Sequence, residues 1–122
     1  MKEKNPITYE ERAAVYTAAR ETFGDANQLM KALEELTEVK LEIHRALDGR
    51  GDLLHLAEEV ADAFIMLEQV RQIFGIDAEV QEAMDGKILR LRQRIEEAKT
   101  KHSAPWTPTD LLDKYKIKPK EE

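Results

Sequence analysis

The chain has 122 residues, of which 36% are charged, and its 25 acidic against 19 basic side chains leave a net charge of −6. That length suits one domain with a modest core, and the acidic balance excludes a general nucleic-acid binder, which needs a basic footprint, though not a phosphorylated small molecule held through a metal. The absence of cysteine excludes thiolate metal sites, disulfides and cysteine nucleophiles.

No apolar run approaches the ~20 residues of a membrane span. The opening MKEKNPITYEER lacks the apolar core of a signal peptide. A cytoplasmic protein with no membrane partner is expected.

Four helices are legible in chain order, and the fold class they predict is all-α. The first runs from about Thr8 to Phe23, with Thr8 as N-cap and Glu11 completing a capping box. Gly24 suits its left-handed stop, and Asp25 is the expected cap of the next helix. The second helix runs from about Ala26 to Leu47, with Leu29, Leu33, Leu36, Ile43 and Leu47 recurring at helical spacing. DGRGD breaks it, and Asp52 can cap the third helix.

That third helix runs from about Leu53 to Phe74, with Gly75 as its stop and Asp77 as the cap of the fourth. The fourth runs from about Ala78 to Lys99, with Val80, Met84, Ile88, Leu91 and Ile95 on one face. Short connections between helices of this length imply antiparallel neighbours, hence a four-helix bundle over residues 1–100. Residues 101–122, with Pro105, Trp106 and Pro108, read as an irregular tail. A short helix capped by Thr109 or Asp110 is the only regular element expected there. Trp106 is read as packing the tail onto the bundle or a second chain rather than stacking on a nucleotide.

The third helix contains LAEEVADAFIML, apolar nearly all round yet carrying Glu58, Glu59 and Asp62. Glu59 and Asp62 are three apart, with His55, Ala63, Met66 and Val70 as their angular neighbours, so both lie on a largely apolar side. Glu58 is turned about 100° from Glu59, toward a wetter edge. On the second helix Glu35, Glu38 and Glu42 form one line, extended by Lys31 and Gln28, while Glu34 points outward.

Two helices joined by a short turn thus each present a carboxylate pair, Glu35/Glu38 and Glu59/Asp62, at similar heights. Facing carboxylates without a counterion repel and resist desolvation. A hard dication with oxygen ligands would reconcile them. A solvated face or pairing with basic side chains would also account for such residues. The Glu-x-x-His pairs of di-iron bundles are absent, which favours Mg²⁺ or Mn²⁺ over iron. His55 beside this line is read as a packing histidine and not as a ligand.

At these residues the chain resembles the MazG-like, all-α nucleotide pyrophosphohydrolases, a superfamily that includes the dimeric dUTPases and the phosphoribosyl-ATP pyrophosphohydrolases. The family motif E-E-x-x-E, a spacer, then E-x-x-D is matched by EELTE (Glu34, Glu35, Glu38) and EVAD (Glu59, Asp62), with 20 residues between Glu38 and Glu59. The flanking FGDANQLMKALEELTEV, VADAFIMLEQVRQIFG and KILRLRQRIEE extend the resemblance over about Tyr9 to Ala98.

The resemblance implies a nucleoside triphosphate pyrophosphohydrolase that yields the monophosphate and pyrophosphate. It implies Mg²⁺, or Mn²⁺, held by Glu35, Glu38, Glu59 and Asp62. Glu35 or Glu38 would take a water proton, and Glu34 is the candidate for a second metal shell. Lys87, Arg90 and Arg94 on the fourth helix are candidates to reach the leaving phosphates, and equally ordinary surface charges beside Glu96 and Glu97. Gln28 and Lys31 are candidates for contact with phosphate or base.

Leu54, Ala61 and Ile65 lie away from the Glu59 face and need cover, which a second chain would provide. The resemblance likewise implies a homodimer or homotetramer. The rival expectations are a non-catalytic helical interaction module, whose carboxylates balance a partner's Lys and Arg, and a nucleotide-binding protein of the same fold.

Overall fold

The computed structural model describes residues 5–101, and every regular element among them is helical. The elements are α1 (Tyr9–Phe23), α2 (Asp25–Leu47), α3 (Leu53–Phe74) and α4 (Asp77–Lys101). The all-α, four-helix reading holds, with each boundary within two residues of expectation. The expected helix at Thr109 or Asp110, and the packing of Trp106, fall outside the described residues.

Local chemistry sets the ends. The capping box closes α1: the Glu11 N–H donates to Thr8 Oγ1 and the Thr8 N–H to Glu11 Oε2, both at 3.1 Å. Asp52 caps α3 by accepting from the Leu54 N–H at 2.9 Å. Gly75 stops α3 at φ 63°, ψ 34°, the left-handed conformation in which a Cβ is penalised.

Asp25 and Asp77 are not caps. Each lies in the first turn of its helix, and an arginine from the last turn of the preceding helix takes its carboxylate: Arg20 Nε to Asp25 Oδ1 at 2.8 Å, Arg71 Nε to Asp77 Oδ1 at 2.7 Å. The charge-assisted bond across the turn outcompetes capping of backbone N–H groups. Gly24 therefore becomes the α2 N-cap, with no side-chain hydrogen bond.

α2 and α3 form the central antiparallel pair, because Gln28 meets Gln69 at one end and Glu42 meets His55 at the other. α1 is tied to α3 by Tyr16 and Arg12, both on Glu68, and by Arg20 on Gln72. Among the described residues the buried apolar ones are few: Tyr16, Ala32, Ala63 and Met66, the last at 5% exposure. Glu35, Glu42 and Gln69 are buried with them.

The apolar stripe of α2 faces inward only at its ends, where Leu29 and Leu47 are half-buried. Leu33 is 60% exposed, and Leu36 and Ile43 are open as well. The residues of α2 that are buried instead are Ala32, Glu35 and Glu42. α4 departs further. Val80 is half-buried, but every residue from Gln81 to Thr100 is exposed, including Met84, Ile88, Leu91 and Ile95. Leu54, Ala61 and Ile65 are exposed, as expected. No helix among the described residues is long and apolar enough to cross a membrane.

Candidate metal centre

The α2–α3 register builds the site. From Gln28, steps of seven lead along α2 to Glu35 and Glu42. From Gln69, the same steps lead back along α3 to Asp62 and His55. Seven residues are nearly two helical turns, so each set shares a face, and the antiparallel pairing sets Glu35 opposite Asp62. Three-residue spacing then brings Glu59 alongside.

Glu35, Glu59 and Asp62 each contribute an atom to a group whose members lie within 4.8 Å of one another. Glu35 is buried, at 9% exposure. The set is oxygen-only, with two carboxylates from one helix and one from the other, and it is open on the Asp62 side. That donor chemistry fits a hard divalent cation with room for water or phosphate oxygens, and it does not suit a softer metal that wants nitrogen or sulfur.

Electrostatics reflect the crowding. Burial pushes the Glu59 carboxyl above its ordinary value. The His55 imidazole opposes this, and the charges of Glu35, Asp62 and Glu38 add to it. Lys31 supplies the nearest cation, with Nζ 3.2 Å from Glu35 Oε1 and 3.7 Å from Glu34 Oε2. Its pKa is raised, chiefly by the bond to Glu35.

The remaining candidates separate. Glu38 lies outside the triad and is exposed, near enough for its charge to act on Glu59, and forms no hydrogen bond or ion pair among the described residues. Glu34 is exposed and held only by Lys31. Gln28 is engaged, its Nε2 donating to Gln69 Oε1 at 2.7 Å. Lys87, Arg90 and Arg94 are all exposed on α4, with no ion pair to the α2–α3 carboxylates among the described residues.

Two residues next to the triad are legible only in part from the sequence. Helical spacing puts Glu42 on the carboxylate line without a role, and it reads His55 as packing. The seven-residue steps from Glu35 to Glu42 and from Asp62 to His55 are the signal that joins them. A separate polar cleft of about 540 Å³, lined by Tyr9, Arg12, Tyr16, Glu68, Arg71 and Asp77 among others, contains none of the triad. Its charged groups are already paired with one another. Compared with protein-family models, curated proteins and solved structures, the chain finds no match.

Proposed function

We propose that this chain is a Mg²⁺-dependent, MazG-like nucleoside triphosphate pyrophosphohydrolase that cleaves the anhydride between the α- and β-phosphates. The observation that carries this reading is the meeting of Glu35, Glu59 and Asp62 from two helices within 4.8 Å, at the spacing of the E-E-x-x-E and E-x-x-D motifs. Mn²⁺ would substitute for Mg²⁺.

In this reading Glu35, Glu59 and Asp62 hold the cation. When bound, the cation supplies positive charge against the phosphate oxygens and makes a water more acidic. Glu38, unpaired beside the triad among the described residues, accepts the proton of the attacking water. Lys31 leaves Glu35 for a phosphate oxygen, and Glu34, then unpaired, is placed for a second cation. Gln28 lies two turns from Glu35 on the same face, at a distance suited to the sugar or base. Lys87, Arg90 and Arg94 meet the leaving phosphates only where α4 is brought over the centre, in the same chain or from a second copy. The reaction needs positioning and charge stabilisation rather than a covalent enzyme intermediate. A cytoplasmic setting, where such nucleotides are abundant, completes the reading.

The exposed apolar faces of α2, α3 and α4 support a homodimer or homotetramer, since four buried apolar residues among those described are a thin core. Light scattering coupled to gel filtration tests this: a monomer at micromolar concentration rejects it. The same open α4 face supports the second reading, a non-catalytic interaction module or nucleotide binder of this fold.

The deciding experiment is pyrophosphate release from a panel of NTPs and dNTPs with Mg²⁺, using Glu38→Gln and Asp62→Asn as controls. Release that both substitutions abolish supports the hydrolase. Release that ignores both rejects the assigned residues, and no release from any nucleotide leaves the second reading.

A further inference from the structure

We propose that His55 is a positioning residue for Glu59, tying this carboxylate across the α2–α3 seam to the buried Glu42, itself paired with the exposed Arg45. The inference rests on reading Glu35, Glu59 and Asp62 as cation ligands, and it concerns how one of them is held.

Glu42 is 2% exposed, the least exposed carboxylate among the described residues. A carboxylate there needs compensation, and Arg45 Nη1 on the same helix bonds its Oε1. Across the seam, His55 Nε2 lies 3.6 Å from Glu42 Oε1 and 3.6 Å from Glu59 Oε1. One ring nitrogen is therefore equidistant from a structural carboxylate on α2 and a ligand carboxylate on α3. The other, Nδ1, is 3.8 Å from Glu58 Oε2.

The histidine is held from behind as well. Its backbone N–H points to the Asp52 cap at 3.5 Å, in the first turn of α3, and Glu59 is one turn further on. Packing does not explain this placement: the side chain is 46% exposed, so the ring contributes little to any core. The carboxylates paired with it among the described residues, Glu42, Glu58 and Glu59, with Arg45 bonded to Glu42, lie about its nitrogens instead.

A ligand carboxylate that bonds one oxygen to a fixed donor loses rotamer freedom before the cation arrives. Partners of this kind typically strengthen metal binding by about 10- to 100-fold. His55 supplies such a donor, and the Glu42–Arg45 pair keeps the donor from following Glu59 when the side chain moves. The single Nε2–H can close either 3.6 Å contact to hydrogen-bond length by a ring shift of less than ~1 Å.

The test is Mn²⁺ binding to the full chain, read by the free-ion electron paramagnetic resonance signal with no nucleotide present. His55→Ala is expected to weaken Mn²⁺ binding about tenfold while the metal-free melting temperature stays close to wild type. His55→Gln, whose side-chain amide can donate from nearly the same place, is expected to recover most of that loss. Wild-type affinity in His55→Ala overturns the proposal, as does equal loss in both variants. A wild-type chain that binds no Mn²⁺ overturns it together with the proposed function. Mn²⁺ binding in the expected order without any nucleotide hydrolysis supports the positioning role and rejects the hydrolase alone.

Discussion

Lys31 Nζ stands 3.2 Å from Glu35 Oε1, so the carboxylate that anchors the α2 side of the triad already carries a cation from its own helix. The pair spans one turn, and Lys31 also reaches Glu34. An incoming dication must share Glu35 with this ammonium or displace it. Lys31→Ala is therefore expected to tighten Mn²⁺ binding by about two- to fivefold, the scale of an exposed ion pair, while slowing turnover if the ammonium moves to a phosphate. Titration calorimetry on the metal alone, beside steady-state kinetics, separates the two effects.

Asp62→Asn should act in opposite directions on stability and binding. It removes one of three crowded negative charges, so the metal-free chain melts slightly higher. It also removes a proposed cation ligand, so the rise in melting temperature expected on adding Mg²⁺ or Mn²⁺ should shrink and affinity fall by at least about 100-fold, beyond the range for residues that touch only a ligand. A variant that melts lower without metal, with the metal-induced shift intact, contradicts this.

The raised Glu59 carboxyl gives a pH dependence whose sign is set. Its folded-state pKa lies above the ordinary 4.5, because burial, with the charges of Glu35, Asp62 and Glu38 added to it, outweighs the relief from His55. The metal-free fold thus has this group's full contribution to stability below 4.5 and loses it as pH rises through the higher folded value. Cation binding runs the other way, since it needs the carboxylate, and weakens as pH falls through the same window. Chemical denaturation from about pH 4 to 7, with and without Mn²⁺, should give curves that diverge with rising pH.

Two glycines make a paired test of the turn and the free helix. A Cβ on Gly51 would meet the Ala46 backbone, 2.8 Å from its Cα, so Gly51→Ala should cost about 1–3 kcal/mol. Because Gly51 precedes the Asp52 cap and His55, the same variant should weaken Mn²⁺ binding. Gly86 in α4 has nothing within 4 Å of the corresponding position, so Gly86→Ala should stabilise by up to about 1 kcal/mol. Urea denaturation measures both.

The helices, the Thr8 and Asp52 caps and the Gly75 stop are legible in the sequence, because each depends on neighbours within a few residues. So is the common height of Glu35, Glu59 and Asp62, since a short turn between two helices leaves little choice of register. Asp25 and Asp77 read wrongly as caps because the arginines that claim them, five and six residues earlier, lie across a turn whose geometry no local pattern encodes. Periodicity finds the Leu33, Leu36 and Ile43 stripe but cannot say which body covers it. Within one chain the buried α2 positions go to Ala32, Glu35 and Glu42. The same limit applies to Lys87, Arg90 and Arg94, whose spacing is helical whether or not α4 lies over the centre.

With most of the leucines and isoleucines among the described residues already in contact with water, a lone copy has little hydrocarbon left there to hydrate when it melts. Its heat-capacity increment should therefore fall below the ~12–15 cal/mol/K per residue of ordinary globular chains. Its stability curve with temperature would be correspondingly flat, and association between copies would restore the missing curvature and make the midpoint climb with protein concentration.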